Sequence, residues 1–392
     1  MNEFPVDLAA LAAQEAYALT RFNTSEQAIR YLNTEYGEVF TFSQENMLKG
    51  RSGGPFFIKC RTAFGFTLLG KGVFEGHAFI LFRGTEYLAD ILTDLNISVS
   101  SSSTGKPVHD GFNKSFKSME SQLISFMSST EMKSVHSIHC IGHSLGGALA
   151  TVCGDWIQNT YKRKPYIYSF GCPRVGLYGF ASRCTSSIGA DRIYRAYHKT
   201  DIVPCIPPWP FIHTPNTGTD YYLWSPGMIP MGEYHKMKNY VASVTDQTWE
   251  SISNFNDITR DETSIGNWLK DTSFVGLTMS SLEWLNQALL FVLKKCFDGM
   301  AWLISETFST SFTLIDQLAY ILNKGIDLAS AVSDWVLYLI KKILQVIGMK
   351  DDVEMAELSV KFIRMVLQNL QMRVNRYAKD ALSKAMVDGR GI

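Results

Sequence analysis

Apolar residues recur at helical spacing over 6–19, which predicts an opening amphipathic helix. A second helix is announced by Asn23-Thr24-Ser25-Glu26-Gln27, where a Thr or Ser cap precedes the apolar positions Ala28, Tyr31 and Leu32. The period then shortens. Residues 56–69 and 77–82 alternate or run apolar with β-branched and aromatic side chains, and 135–141, 166–170 and 193–197 are further short strand candidates. Helical patterns lie between several of these strands, so the expectation is an α/β domain built on a mostly parallel sheet. After about Gln247 the pattern changes again. Residues 254–267 are polar and aperiodic, as a linker is, and the chain then looks helical to its end. One stripe runs through Leu328, Val332, Trp335, Leu339, Ile343, Val346 and Ile347. A second runs through Met355, Leu358, Phe362, Val366, Leu370, Val374, Tyr377, Ala381 and Ala385. Gly348 and Asp351-Asp352 separate the two stripes. The expected organisation is an α/β domain over 1–253, a linker over 254–271 and an all-α C-terminal domain over 272–392.

Residues 272–293 come nearest to a membrane span, with Glu283 as the single charge, but Ser, Thr, Asn and Gln interrupt any apolar run of the roughly 18 residues required. A bundle helix or an interfacial helix fits better. From Lys361 onward, Lys361, Arg364, Arg373, Arg376, Lys379, Lys384 and Arg390 face only Asp380 and Asp388. A basic amphipathic terminal helix is drawn to an anionic lipid surface; a plain packing domain is the competing reading.

Composition narrows the class. With 46% hydrophobic and 19% charged residues in 392, the chain builds a substantial core and is not disordered. Lys+Arg and Asp+Glu both total 37, so no global charge argues for nucleic acid. The seven cysteines (Cys60, Cys140, Cys153, Cys172, Cys184, Cys205 and Cys296) are scattered without CxxC spacing, as small buried hydrophobes of a reducing compartment are. Met1-Asn2-Glu3-Phe4-Pro5-Val6-Asp7 carries acids where a signal peptide carries Lys or Arg, and Gln14-Glu15 interrupts the apolar run behind it. The expectation is therefore cytoplasmic synthesis, with export by a signal-independent secretion system or association with a membrane.

The chemistry centres on Ser137-Ile138-His139-Cys140-Ile141-Gly142-His143-Ser144-Leu145-Gly146-Gly147-Ala148-Leu149-Ala150. It reads as a buried strand ending at Ile141, a sharp turn carrying Ser144, and a small-residue helix beginning near Gly146. Gly142-His143-Ser144-Leu145-Gly146 fits the Gly-x-Ser-x-Gly nucleophile elbow, in which glycines let strand and helix crowd a strained turn. A serine hydroxyl becomes a nucleophile only when a histidine takes its proton and a carboxylate fixes that histidine. Asp201, just after a predicted strand and held by Pro204, is the best acid. Of the two downstream histidines, His235 leads from a loop toward a helix and is the better base; His213, between Phe211-Ile212 and Thr214-Pro215, is expected to pack locally, as is His198. The Leu145 N–H supplies one oxyanion donor, and Thr85, after Phe82-Arg83-Gly84, offers a second, with its hydroxyl held by Asp94. His136, His139, Cys140 and His143 invite a metal reading, but alternation puts His139 opposite Cys140 and the elbow uses His143. Neither metal nor cofactor is expected.

These residues resemble the class 3, fungal-type lipases over roughly 56–240. The motifs that carry the likeness are Phe82-Arg83-Gly84-Thr85, Val108-His109-Asp110-Gly111-Phe112, the Gly142–Gly147 elbow, Phe170-Gly171-Cys172-Pro173-Arg174-Val175-Gly176, and Asp201-Ile202-Val203-Pro204 with Pro207-Pro208. The resemblance implies an α/β-hydrolase fold, a Ser144–Asp201–His235 triad, oxyanion donors at Thr85 and Leu145 steadied by Asp94, and a lid over 86–94. Secreted members differ in having a signal peptide and disulfides and in lacking the long helical C-terminus; a lipase effector of a bacterial secretion system is similar in layout, and would call for a neutralising or immunity protein. The expected activity is hydrolysis of lipid esters at a membrane surface through an acyl-serine intermediate. Phospholipid ranks first among substrates. A soluble-ester hydrolase with a helical cap, and a non-enzymatic membrane-perturbing helical protein, are the alternatives.

Overall fold

The structure is a computed structural model and describes residues 3–51, 61–85, 98–253, 261–298, 313–328 and 330–387. The chain opens with α1 (Val6–Glu15), a single turn α2 (Ala18–Arg21) and α3 (Ser25–Tyr36). The helix expected over 6–19 thus breaks at Ala16-Tyr17. The break turns Tyr17 inward, where its hydroxyl is committed to a distant histidine. Thr24 caps α3 by accepting the Gln27 N–H.

Among the described residues a central sheet of seven strands has the order β1-β2-β3-β6-β7-β8-β9. Its members are β1 (Met47–Arg51), β2 (Arg61–Leu69), β3 (His77–Phe82), β6 (Ser137–His143), β7 (Tyr166–Phe170), β8 (Ile193–His198) and β9 (Tyr221–Leu223); β4 (Val99–Ser101) and β5 (Pro107–His109) form a separate hairpin. The strands β1, β2 and β3 pair antiparallel, and every pairing from β3 through β9 is parallel. This is the expected mostly parallel α/β-hydrolase sheet. The edge strand β1 escapes sequence reading because Met-Leu-Lys-Gly-Arg neither alternates nor runs apolar, and β9 and the β4–β5 hairpin because three residues are too few to establish a period.

Alternation along the strands splits the apolar residues between two faces. Ala78, Ile80, Phe82, Ile138 and Cys140 join one core cluster; Phe79, Leu81, Ile141 and Tyr168 join the other. On the first face lie α4 (Asp110–Lys117), α5 (Glu120–Met127), α6 (Leu145–Tyr161) and α7 (Tyr178–Ile188). On the second lie α1, α8 (Met237–Val244) and α9 (Trp249–Ser253). The sheet is therefore covered on both sides, as parallel sheets require.

The C-terminal helices are α10 (Glu262–Lys270), α11 (Met279–Asp298), α12 (Leu314–Ile326), α13 (Ser330–Ile347) and α14 (Val360–Val387). One correction falls here. Of the linker expected over 254–271, 254–260 lie outside the described residues, but α10 occupies most of the rest. Asp261 caps it by accepting the Ser264 N–H at 2.6 Å, and Ile265 and Leu269 are buried. Two buried residues one turn apart are too sparse to read as periodic among polar neighbours. In α13, Val336, Leu339, Ile340, Ile343 and Val346 are buried, and Gly348 (φ 75°) ends the helix. Among the described residues no helix is long and apolar enough to cross a membrane. The six described cysteines are free and buried, and Cys60 lies outside the described residues.

Candidate active site

The strand β6 runs to His143, two residues past the expected end, and α6 starts at Leu145, so Ser144 alone makes the turn. Its backbone sits at φ 60° and ψ −127°, a strained position for a residue with a Cβ. Both elbow glycines are required by close backbone approach. A Cβ on Gly142 would lie 2.2 Å from the Gly146 carbonyl oxygen, and one on Gly146 would lie 2.1 Å from that of Phe82. The β6–β7 register places His143 opposite Phe170, whose carbonyl accepts the Ser144 N–H at 2.9 Å.

His235 ends a 3-10 turn (Gly232–His235) that leads into α8, and Asp201 follows β8 at the same carboxyl edge of the sheet. His235 Nε2 is 2.9 Å from Ser144 Oγ, and His235 Nδ1 is 2.8 Å from Asp201 Oδ2. Asp201 is fixed from two more directions: its Oδ1 accepts the Val203 N–H at 2.9 Å, and its Oδ2 accepts the Tyr240 hydroxyl at 2.6 Å. The structure thus brings Ser144, His235 and Asp201 into one hydrogen-bonded line. His213 lies elsewhere, buried, with the Arg174 Nε–H donating to its Nε2 at 3.5 Å. Burial, then Arg195 and Arg174, hold its pKa well below the usual histidine value. His198 is spent on structure, its ring nitrogens bonded to the Tyr234 carbonyl and the Ser243 hydroxyl.

Besides Tyr240, three residues of the site carried no assignment from sequence. Tyr17 donates its hydroxyl to His143 Nδ1 at 2.7 Å, and His143 Nε2 is 2.7 Å from the His235 carbonyl oxygen. That carbonyl only accepts, so the proton of a neutral His143 resides on Nε2. Burial first, and then His235, keep His143 neutral by pulling its pKa well down. The chain Tyr17–His143–His235 therefore anchors the backbone of the base. Gly171 (φ 55°) is the third: a Cβ there would lie 2.7 Å from Asp201 Oδ2 and 3.1 Å from His235 Nδ1. Its place in Phe170-Gly171-Cys172-Pro173-Arg174 was a motif signal without a geometric meaning until the fold supplied one.

Leu145 is the first residue of α6, so its N–H points from the positive end of a helix. On the other side, a Cβ on Gly84 would lie 2.9 Å from Ser144 Cβ, which sets the Gly84-Thr85 backbone against the nucleophile. The Arg83 guanidinium pins this turn by donating to the Ala63 and Gly84 carbonyls at 2.6 and 2.8 Å. Asp94 and the expected lid over 86–94 lie outside the described residues. No cluster of metal-ligating side chains occurs among the described residues; His139 stacks on His77, Phe79 and Tyr166 while Cys140 faces the other core. A cavity of about 1540 Å³ lies between the carboxyl-edge loops and α10–α12. Asp201, Arg195, His213 and Leu290 are on its walls, but Ser144 and His235 are not.

Residues 79–211 match the family model for lipase (class 3). A lipase of Rhizomucor miehei is 29% identical over 168 residues, covering 40% of this chain and 44% of that protein. Phospholipase A1-II 6 of Oryza sativa subsp. japonica is 34% identical over 127 residues, covering 28% of this chain and 30% of that protein. The chain therefore spans less than half the length of either relative. A solved Rhizomucor miehei lipase propeptide complex is 24% identical, covers 56% of this chain and 66% of that one, and superposes with a TM-score of 0.43. Family match and elbow coincide on the same strand–turn–helix, so residues 79–211 of the α/β part are similar to the class 3 lipases.

Proposed function

We propose that this chain hydrolyses carboxylic esters of lipids through an acyl-serine intermediate, with phospholipid as its first substrate class. The observation that carries the reading is the unbroken line from Ser144 Oγ through His235 to Asp201, with contacts of 2.9 and 2.8 Å. Ser144 attacks the ester carbonyl while His235 Nε2 takes its proton, and Asp201 orients and stabilises the imidazolium. The N–H groups of Leu145 and Thr85 receive the negative charge that develops on the carbonyl oxygen. His235 returns the proton to the leaving alcohol, and water then releases the fatty acid by the same steps in reverse. Phospholipid is ranked above neutral glyceride on two grounds: the likeness to a rice phospholipase A1, and the exposed Lys361, Arg373, Arg376 and Lys384 of α14, which suit an anionic bilayer surface.

The test is fatty-acid release from vesicles of phosphatidylethanolamine and phosphatidylglycerol by the wild type and by Ser144→Ala, with folding of both checked by circular dichroism. Loss of about 10⁴-fold or more in the variant is expected. Release that survives the substitution overturns the mechanism, and release only from triglyceride emulsions overturns the substrate ranking.

A further inference from the structure

Trp224 leaves β9 at the carboxyl end of the parallel sheet, the edge where Ser144 and Asp201 also emerge. The loop it opens is unusually apolar for solvent. Trp224 is 65% exposed, Met228 67% and Ile229 60%, all within six residues. The same loop is tied to the site, since the Met231 N–H donates to the carbonyl of Thr200, next to Asp201, and the chain then reaches His235.

Two bonds join this loop to the helical region. The Met279 N–H donates to the Met228 carbonyl at 3.1 Å, and the Tyr377 hydroxyl of α14 donates to the Leu277 carbonyl at 3.4 Å. Just before Leu277, Phe274 is 76% exposed, more than any of the loop residues. On α14, Arg373 and Lys384 stand four residues before and seven after Tyr377, on its side of the helix, and both are exposed. The helix itself packs against the turn that carries His235.

Exposed apolar groups scattered singly need no explanation, but a tryptophan, a methionine and an isoleucine within six residues, on a loop bonded to the segment that follows an exposed phenylalanine, with cations on the helix that bonds the same segment, mark an interaction surface. We infer that Trp224, Met228, Ile229 and Phe274, flanked by Arg373 and Lys384, form the surface by which this chain docks on an anionic phospholipid bilayer, with the triad turned toward the lipid. The two kinds of residue divide the task. Side chains such as tryptophan and phenylalanine enter the headgroup boundary, and cations near an anionic surface each add attraction that salt screens. A protein partner is disfavoured because the apolar residues stand on a loop and a connecting segment rather than in a groove with a stated complement. The inference rests on the lipid-hydrolase reading for its purpose, not for its geometry.

The experiment separates the two. Binding is measured by co-sedimentation of the full chain carrying Ser144→Ala, so that no lipid is consumed, with vesicles of phosphatidylcholine alone or with phosphatidylglycerol. Adding Trp224→Ser, Met228→Ser and Ile229→Ser should weaken partition at least about tenfold on both vesicles. Adding Arg373→Glu and Lys384→Glu should weaken it at least about tenfold on the anionic vesicles only, with the effect fading at high salt. In the Ser144 background, each set should leave hydrolysis of a monomeric butyrate ester within about twofold of wild type, which also confirms folding. Unchanged partition in both sets overturns the docking surface. Partition that falls as expected while the wild type releases no fatty acid from any vesicle overturns the phospholipase reading and leaves the surface standing.

Discussion

Replacing Gly171 with alanine adds one methyl group to the site and removes no reacting atom. The new Cβ would lie 2.7 Å from Asp201 Oδ2, 2.9 Å from the Tyr240 hydroxyl and 3.1 Å from His235 Nδ1. Non-bonded heavy atoms settle near about 3.5 Å, so the carboxylate must retreat by somewhat less than about 1 Å. A misplacement of about 1 Å at a catalytic group costs on the order of 10² in rate, which is about 2.7 kcal/mol of barrier. A second effect must be separated from this one. Gly171 has φ 55°, and an alanine held there costs about 1–2 kcal/mol of stability through its backbone alone. Gly72 supplies the control: its φ is 57°, and a Cβ there meets nothing within 4 Å. Gly72→Ala should therefore lower the melting midpoint with kcat unchanged. Gly171→Ala should lower the midpoint at least as much and kcat on p-nitrophenyl butyrate by about 100-fold, with KM nearly constant. If Gly171→Ala turns over within about threefold of Gly72→Ala, the close fit of the triad around Gly171 is not what sets the rate, and the reasoning fails.

The two downstream histidines separate cleanly by substitution. His235→Ala should lose about 10⁴-fold or more in kcat. His213→Ala should keep kcat while losing about 1–3 kcal/mol of stability, because the buried Arg174 Nε–H loses its acceptor; the reverse pattern in esterase assays would exchange their roles. Stability should also fall on acidification, and one buried ring contributes a share that can be isolated. Burial first, and then His77 and His136, push the pKa of His139 down to about 3, so below about pH 6.5 the unfolded chain binds a proton that the folded chain refuses. Stability from this group is complete above that pH and drains at about 1.4 kcal/mol per pH unit as pH falls toward 3. Urea midpoints of His139→Phe at pH 7 and pH 5 should differ less than those of wild type by about 2 kcal/mol; parallel losses would refute the assignment.

The proposed nucleophile, its acid and the proposed oxyanion turn were legible because each stands where a strand stops. Ser144, Asp201 and the Gly84-Thr85 turn follow apolar runs short enough to read as strands, and the elbow glycines touch backbone a few residues away or across one strand. Such constraints leave a local trace. The supporting residues leave none. The Tyr17 bond to His143 spans 126 positions, and the Tyr240 bond to Asp201 spans 39. No periodicity encodes a hydroxyl that becomes useful only after the sheet has closed. The preference for His235 over His213 rested on a loop leading to a helix, and the fold supplies the physical reason: the Arg174 guanidinium holds His213 within its own cluster.

The C-terminal region shows the opposite limit. A change in period near Gln247 separates it from the α/β part, yet one cluster of buried side chains runs from Phe82 and Leu145 through Ile265 and Leu289 to Ile363 and Val374. Residues Ile363, Val366, Leu370 and Val374 keep α14 against α12 and α13, and the same helix leans on the turn that carries His235. A helix bonded in this way cannot shift without pressing on the base, because close-packed interiors transmit displacement. A region that reads as an appendage in sequence is therefore part of the support for His235. It follows that a truncation removing α14 strips that turn of a neighbour, so truncation is a poor test of lipid docking and substitutions on exposed side chains are the better one.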